Sequence, residues 1–275
     1  MNVKVQIAEP SPLFQPFVKH YKYIESSVSG TYKIVPITDV ELYFNLTHIH
    51  VFCEGYFDIE NPRIHLAGLQ HFDQTSYSHM YATGRGGGFA VVFKPQGFYN
   101  LFNVLSSDFS KYALEGIDIF DKNIYDMHDK LEGLFNIIDM RNLFEGFFEK
   151  TAIKAIYGPG LLNSIVSYME NFNGKIRISQ ICELFNITPR SLQRKFRNEI
   201  GMPPRELLQI VRINRAIKLM TSNPDTDLTE ISYLSGYYDQ AHFTKDIKKM
   251  VGITPREAHR VNDIKNTTHH NRLFV

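Results

Sequence analysis

The chain has 275 residues, 43% hydrophobic and 21% charged, with 30 Lys+Arg against 29 Asp+Glu and a net charge of +1. That length suggests about two domains of ordinary globular composition, and two cysteines are too few for a disulfide framework or a thiolate zinc site. No window approaches the roughly 18 uninterrupted apolar residues of a membrane span, and the opening MNVKVQIAEPSPLF has no basic stretch leading into an apolar run, so a cytoplasmic protein without membrane contact is expected.

The near-zero charge is a cancellation. Residues 1–155 carry 13 Lys+Arg and 18 Asp+Glu, a net of −5, and residues 156–275 carry 17 and 11, a net of +6. An acidic front half joined to a basic back half suits a sensor or assembly domain fused to a polyanion-binding domain. In chain order, residues 32–37, 40–46, 64–69 and 89–93 are short, rich in β-branched or aromatic residues and separated by turn residues, which predicts strands of a small barrel or sandwich. After Pro95 the apolar period lengthens. Phe98, Leu101, Phe102 and Leu105 recur at helical spacing, as do Leu131, Leu134, Phe135 and Ile138, and Leu143, Phe144, Phe147 and Phe148 extend the pattern towards residue 155. The aromatic helix at 131–148 suits either a dimer seam or burial against its own barrel.

Two features of this half bear on chemistry. His48 and His50 share one side of a strand, with His65, His71 and His79 nearby in sequence, but no metal-ligand spacing completes the set, and packed or surface histidines are the expectation. Residues 84–88, GRGGG, have neither a dinucleotide nor a P-loop pattern and precede a strand, so a flexible loop is expected rather than a phosphate cradle. No cofactor and no metal are expected. Cys182 falls on an apolar helix face, and Cys53 has no visible activator.

Gly158 and Pro159 break the chain near residues 156–160, and beyond them the sequence is helical and duplicated. Residues 178–185 align with 228–235 at an offset of 50, while 191–197 and Gly201 align with 242–248 and Gly252 at an offset of 51. The second copy therefore has one extra residue in its turn, near Gly236. Each copy reads helix, turn, helix. In the first, Ile178, Ile181, Cys182 and Phe185 form one apolar stripe, Asn186 and Ile187 the turn, and Thr188 an N-cap with Pro189 at the first helical position. Leu192, Phe196 and Ile200 then face inward, and Arg190, Gln193, Arg194 and Arg197 share the opposite face. In the second, Asp227 and Glu230 have capping-box spacing, Gly236 permits a left-handed turn, and Asp239 caps a helix that turns Phe243, Ile247, Met250 and Val251 inward. Gln240, Ala241, Thr244, Lys245 and Lys248 face outward.

This is helix-turn-helix patterning, whose second helix enters the DNA major groove. Arginine pairs with O6 and N7 of guanine, and glutamine with N6 and N7 of adenine. Residues 206–220 read as one continuous helix between the units. A helix over about 204–221 spans roughly 27 Å, and with the width of each unit added the two recognition helices could lie about one DNA turn, roughly 34 Å, apart on one face of the duplex. Lys195, Arg205, Lys218, Lys249 and Arg256 are candidate phosphate contacts.

Over about 160–260 the sequence resembles the DNA-binding domain of the AraC/XylS family of bacterial transcription regulators. The carrying residues are Gly201 before Pro204, Arg212, Arg215 and Ala216 in the linker helix, and Ile231, Ser232, Gly236, Tyr237, Asp239, Phe243, Lys248, Lys249, Gly252, Thr254 and Pro255. Ile247 stands where the family usually has Phe, and Ala258-His259 where Tyr-Arg is common. The resemblance implies base contacts from Arg190, Gln193 and Arg194 in the first unit and from Gln240, Ala241 and Lys245 in the second, Ala241 offering only a methyl group.

More loosely, residues 12–18 with Tyr21, 36–46, 67–69 and 93–98 are similar to an N-terminal domain of some AraC-type regulators. The implied fold class is α+β with two domains: residues 1–155 as a β-barrel-like (cupin-like) domain with following helices, and 160–260 as an all-α domain with two helix-turn-helix units joined by a long helix. Residues 261–275 are then a tail. The implied function is sequence-specific transcription regulation rather than catalysis. Double-stranded DNA is the expected partner, and a small-molecule effector, RNA polymerase and a second copy of the chain are candidates. Two alternatives are a metal-dependent barrel enzyme with a DNA-targeting tail and a DNA-architectural or protein-interaction module without base specificity.

Overall fold

The computed structural model describes residues 3–26, 30–34, 39–46, 50–53, 63–67, 78–83, 86–105, 114–115, 119–155, 160–222, 226–260 and 272–274. The strands are β1 (Val3–Ala8), β2 (Val18–Ser26), β3 (Gly30–Ile34), β4 (Val40–Asn45), β5 (His50–Cys53), β6 (Ile64–Ala67), β7 (Ser78–Thr83), β8 (Gly86–Phe93), β9 (Leu114–Glu115) and β10 (Arg272–Phe274). They pair antiparallel into two sheets, ordered β1-β2-β8-β4-β6-β9 and β10-β3-β7-β5. The barrel-like domain is thus built from two open sheets rather than one closed ring of described strands. β10, within the stretch expected to be a tail, pairs with β3, Leu273 opposite Lys33.

Period-2 alternation sets the first sheet's core face. Tyr21, Tyr23, Val40, Leu42, Phe44, Phe89, Val91 and Phe93 are all buried on it. The register places Leu42 and Tyr21 on either side of Val91. The helix α1 (Gly97–Phe102) follows β8, and α2 (Asn123–Glu132) and α3 (Ile137–Ala155) close this half. Phe144 of α3 meets Tyr21, Phe44 and Phe89 with ring centroids 5.9, 6.4 and 6.3 Å away. Removing each such ring from water contributes about 1.5–3 kcal/mol. The Tyr21 hydroxyl donates to Glu145 of α3 at 3.0 Å, fastening helix to sheet. Burial and then the Glu145 charge push that phenol above its ordinary range. On the opposite face, Lys22, 4% exposed, is held by Glu41 at 2.6 Å.

Two expectations are corrected here. The apolar run through 131–138 is not one helix: α2 ends at Glu132 with Gly133 as its C-cap, and α3 starts at Ile137. Leu131 and Ile137 are buried while Phe135 is 73% exposed. Residues 84–85 lie outside the described residues, but Gly86, Gly87 and Gly88 are strand positions of β8 paired with β2, not a loop. A Cβ at Gly88 would fall 2.1 Å from the Tyr43 hydroxyl, so the missing side chain makes room for that ring.

The second half is helical: α4 (Leu161–Asn171), α5 (Ile178–Leu184), α6 (Pro189–Lys195), a wide turn over Phe196–Ile200, α7 (Pro204–Ser222), α8 (Leu228–Leu234), α9 (Gln240–Val251) and α10 (Pro255–Arg260). Its core joins Ile165, Ile181, Leu192, Phe196, Leu207, Ile213, Ile231, Phe243 and Ile247, with α7 between the units. The domain boundary expected near 156–160 falls largely on residues outside those described. No helix among the described residues is long and apolar enough to cross a membrane.

Candidate nucleic-acid interface

Local chemistry starts and stops each recognition helix where the sequence indicates. In the first unit Asn186 takes a left-handed backbone, φ 47°, in the turn. The Thr188 hydroxyl then accepts from the Ser191 amide at 3.2 Å, with Pro189 in the first turn of α6. In the second, Asp227 caps α8, accepting from the Thr229 amide at 2.9 Å. Hydrogen bonds from Thr229 hold its carboxyl below the usual carboxylate range. Gly236 has φ 94°, a conformation a side chain would strain, and Asp239 accepts from the His242 amide at 2.7 Å to start α9. Five residues separate α8 from α9 against four between α5 and α6, which is the extra turn residue seen in the alignment.

The inward sets pack as expected. Leu192, Phe196, Ile200, Phe243 and Ile247 are fully buried, and Val251 and Met250 nearly so. The outward sets are available: Arg190, Gln193, Arg194, Arg197, Gln240, Ala241, Lys245 and Lys248 are exposed, and Thr244 is half-buried. Arg190, Gln193 and Arg194 lie on the α-helical part of the first recognition element. Arg197 lies beyond it, where the winding widens and the Gly201 amide bonds the Phe196 carbonyl at 2.9 Å. It is exposed but not strictly aligned with the other three. Among the candidate phosphate contacts, Arg205, Lys218, Lys249 and Arg256 are exposed, whereas Lys195 is engaged by Glu199 at 3.1 Å.

The linker helix α7 has 19 residues, a span of about 28 Å. Arg212 and Arg215 are half-buried along it. The Arg212 guanidinium lies 5.4 Å from the Tyr237 ring centroid, which makes it a brace between α7 and the second unit. Asp246 of α9, 5% exposed, packs beside Tyr237, with His242 Nε2 3.4 Å from its carboxylate. Burial and then the Asp246 charge push the Tyr237 phenol up, with Arg212 opposing. Sequence periodicity overlooked Asp246, because a carboxylate on an inward position breaks the apolar pattern that marks the others. Tyr238, just before α9, is 92% exposed, and no local sequence signal marks it.

The metal reading gains nothing from the described residues. His48 and His71 lie outside them. The backbones of His50 and His79 belong to one sheet and that of His65 to the other. His128, Asp129 and Glu132 bring three ligand atoms together. However, the Nδ1 of His128 faces the Arg63 guanidinium at 3.0 Å, its Nε2 contacts the Asn45 carbonyl at 2.5 Å, and Arg63 also pairs with Asp129. A guanidinium fills the place a cation would take. Cys182 is half-buried, and burial pushes its thiol up, away from thiolate chemistry.

Residues 181–260 match a helix-turn-helix domain family, and residues 6–115 match a domain of unknown function (DUF6597). The chain is 29% identical over 102 residues to the "Probable thc operon regulatory protein" of Rhodococcus erythropolis, covering 36% of this chain and 31% of that protein. It is 25% identical over 103 residues to the "HTH-type transcriptional activator RhaS" of Enterobacter sp. (strain 638), covering 37% of each. The chain thus spans about a third of the length of these curated relatives. ToxT from Vibrio cholerae shares the two-domain fold, with a TM-score of 0.51 at 14% identity over 94% of this chain and 98% of that one. A second ToxT structure, bound to (E)-4-(8-methylnaphthalen-1-yl)but-3-enoic acid, has the same TM-score at 15% identity. Two capped helix-turn-helix units, the long helix between them, the family match over residues 181–260 and the regulators among the relatives agree: the C-terminal domain of this chain is an AraC-type helix-turn-helix domain.

Proposed function

We propose that the protein is a sequence-specific DNA-binding transcription regulator, with α6 and α9 entering successive major-groove segments on one face of the duplex. The observation that carries this reading is the duplicated exposed face. Positions equivalent at an offset of 51, Arg190 and Ala241, Gln193 and Thr244, Arg194 and Lys245, Arg197 and Lys248, all lie outward on capped helices whose inner faces are buried. A solvated charged face needs no such repetition. Phosphate contacts from the surrounding lysines and arginines set the register, and the recognition side chains read bases. Regulation rather than catalysis also accords with the roles named for the relatives. The N-terminal domain senses a small molecule or mediates assembly, a reading supported by the ligand-bound ToxT structure of like fold. RNA polymerase and a second copy of the chain are further partners of such a cytoplasmic regulator.

Selection of bound duplexes from a random pool tests the proposal. An enriched motif with two blocks about one helical turn apart is expected, and its absence would sink the idea. Within that motif, Arg194→Ala is expected to cost about 1–3 kcal/mol of specific affinity and to relax one base pair. Equal small losses on selected and scrambled duplexes would move Arg194 out of direct readout.

A further inference from the structure

We propose that Gln96 of the N-terminal domain is a positioning residue for the first recognition helix, acting through Glu199; this rests on the DNA-reading role assigned to α6. Gln96 is 1% exposed and occupies the N-cap position of α1, yet its side chain does not cap that helix. Instead its Nε2 donates to Oε2 of Glu199 at 2.6 Å, joining residues 103 positions apart. The other carboxylate oxygen of Glu199 accepts from Lys195, the last residue of α6, at 3.1 Å. Glu199 is therefore shared between the end of the recognition helix and the front half of the chain.

Both sides of this seam are stiff. On the N-terminal side, Lys94 donates to the Gln15 carbonyl at 2.6 Å, and a Cβ at Gly97 would fall 1.8 Å from the Phe17 carbonyl oxygen, so 93–98 is wedged against the 14–18 segment. That accounts for the Phe-Lys-Pro-Gln-Gly-Phe run. On the other side, Phe196 and Ile200 are fully buried around the wide turn that carries Glu199. Gly160, before α4, closes over the amide, where a Cβ would lie 3.7 Å from Gln96 Oε1. Nearby, the Lys19–Asp39 pair, 2.8 Å, faces Glu170 of α4, whose carboxyl is pushed up by burial and drawn back by Lys19. The second unit is built otherwise. At an offset of 51, Met250 stands in place of Glu199 and accepts no such bond.

Displacing the start of α1 therefore moves the end of α6 and not α9. The test uses the full chain and a duplex carrying both blocks of the selected motif. Gln96→Ala is expected to lower base discrimination in the α6 block about tenfold, the worth of one hydrogen bond to a charged group. Discrimination in the α9 block should be unchanged. In the DNA-free protein, the same variant should speed amide exchange across residues 196–201. Gln96→Glu opposes two carboxylates and should act more strongly. Combining it with Glu199→Gln reverses donor and acceptor and should restore discrimination. Gln96→Ala with both blocks and the exchange unaltered would overturn the proposal. So would an equal loss in both blocks accompanied by a lower melting temperature. If the unaltered protein shows no base preference, the DNA-reading role fails on its own account, and exchange at 196–201 still decides the seam.

Discussion

The two helix-turn-helix units share one backbone plan and differ in what holds their recognition helices. Equivalent positions carry the caps, Thr188 and Asp239, the central core residues, Leu192 and Phe243, and the left-handed glycines that end each element, Gly201 at φ 89° and Gly252 at φ 78°. Yet Lys195, 41% exposed and paired with Glu199, corresponds to Asp246, which is buried beside Tyr237. The first helix is short, ends in a wide turn and is touched by the N-terminal domain; the second is a 12-residue helix braced on α7 through Tyr237 and Arg212. The outward faces differ too, with arginines and Gln193 on the first against Gln240, Ala241, Thr244 and lysines on the second. Arginine's planar fork suits bidentate base reading, whereas lysine is a point charge suited to phosphate. The scaffold is thus shared while the outward chemistry differs: arginines dominate the first unit, and the second keeps Gln240 beside lysines.

Core truncation probes what the units share and has the largest expected effect. Leu192→Ala and Phe243→Ala should each cost about 2–5 kcal/mol in urea unfolding, in one transition, because α7 joins both cores. A separate transition for either unit would break the pairing. Next, Asp246→Ala, which removes a buried carboxylate packed beside Tyr237, should lower stability by more than Lys195→Ala, whose exposed ion pair should be worth about 0.2–1 kcal/mol. Similar losses would show that burial does not distinguish the two positions. The caps should be equivalent, Thr188→Ala and Asp239→Ala each lowering stability by about 1 kcal/mol in thermal unfolding. Smallest, Lys248→Ala should reduce the salt dependence of DNA affinity by about one phosphate contact and leave base preference intact. A changed preference would place Lys248 among the base-reading residues of the second unit.

Much of the helical half is legible in the sequence because its determinants are local. Thr188, Asp227 and Asp239 act within three residues, Gly236 acts on its own backbone, and the inward sets repeat every three or four positions. The β half is less so. Windows of alternation mark β4 and β8, yet β1 and β2 pass unnoticed, because Lys22 and Tyr23 read as a polar stretch until the sheet puts them on opposite faces. The break between α2 and α3 is hidden because apolar residues on two adjoining helices keep helical spacing across Gly133.

What the sequence determined by itself is the duplicated, capped helical scaffold and the charge division between the halves, since both follow from neighbours a few residues apart. Only the tertiary structure decided the sheet order, the burial of Asp246, the pairing of β10 with β3 and the meeting of Gln96 with Glu199. Each of these, the sheet order included, brings together groups that are distant in sequence or assigns a polar residue to an interior. Such choices depend on which surfaces the whole chain buries together, and no local period encodes them.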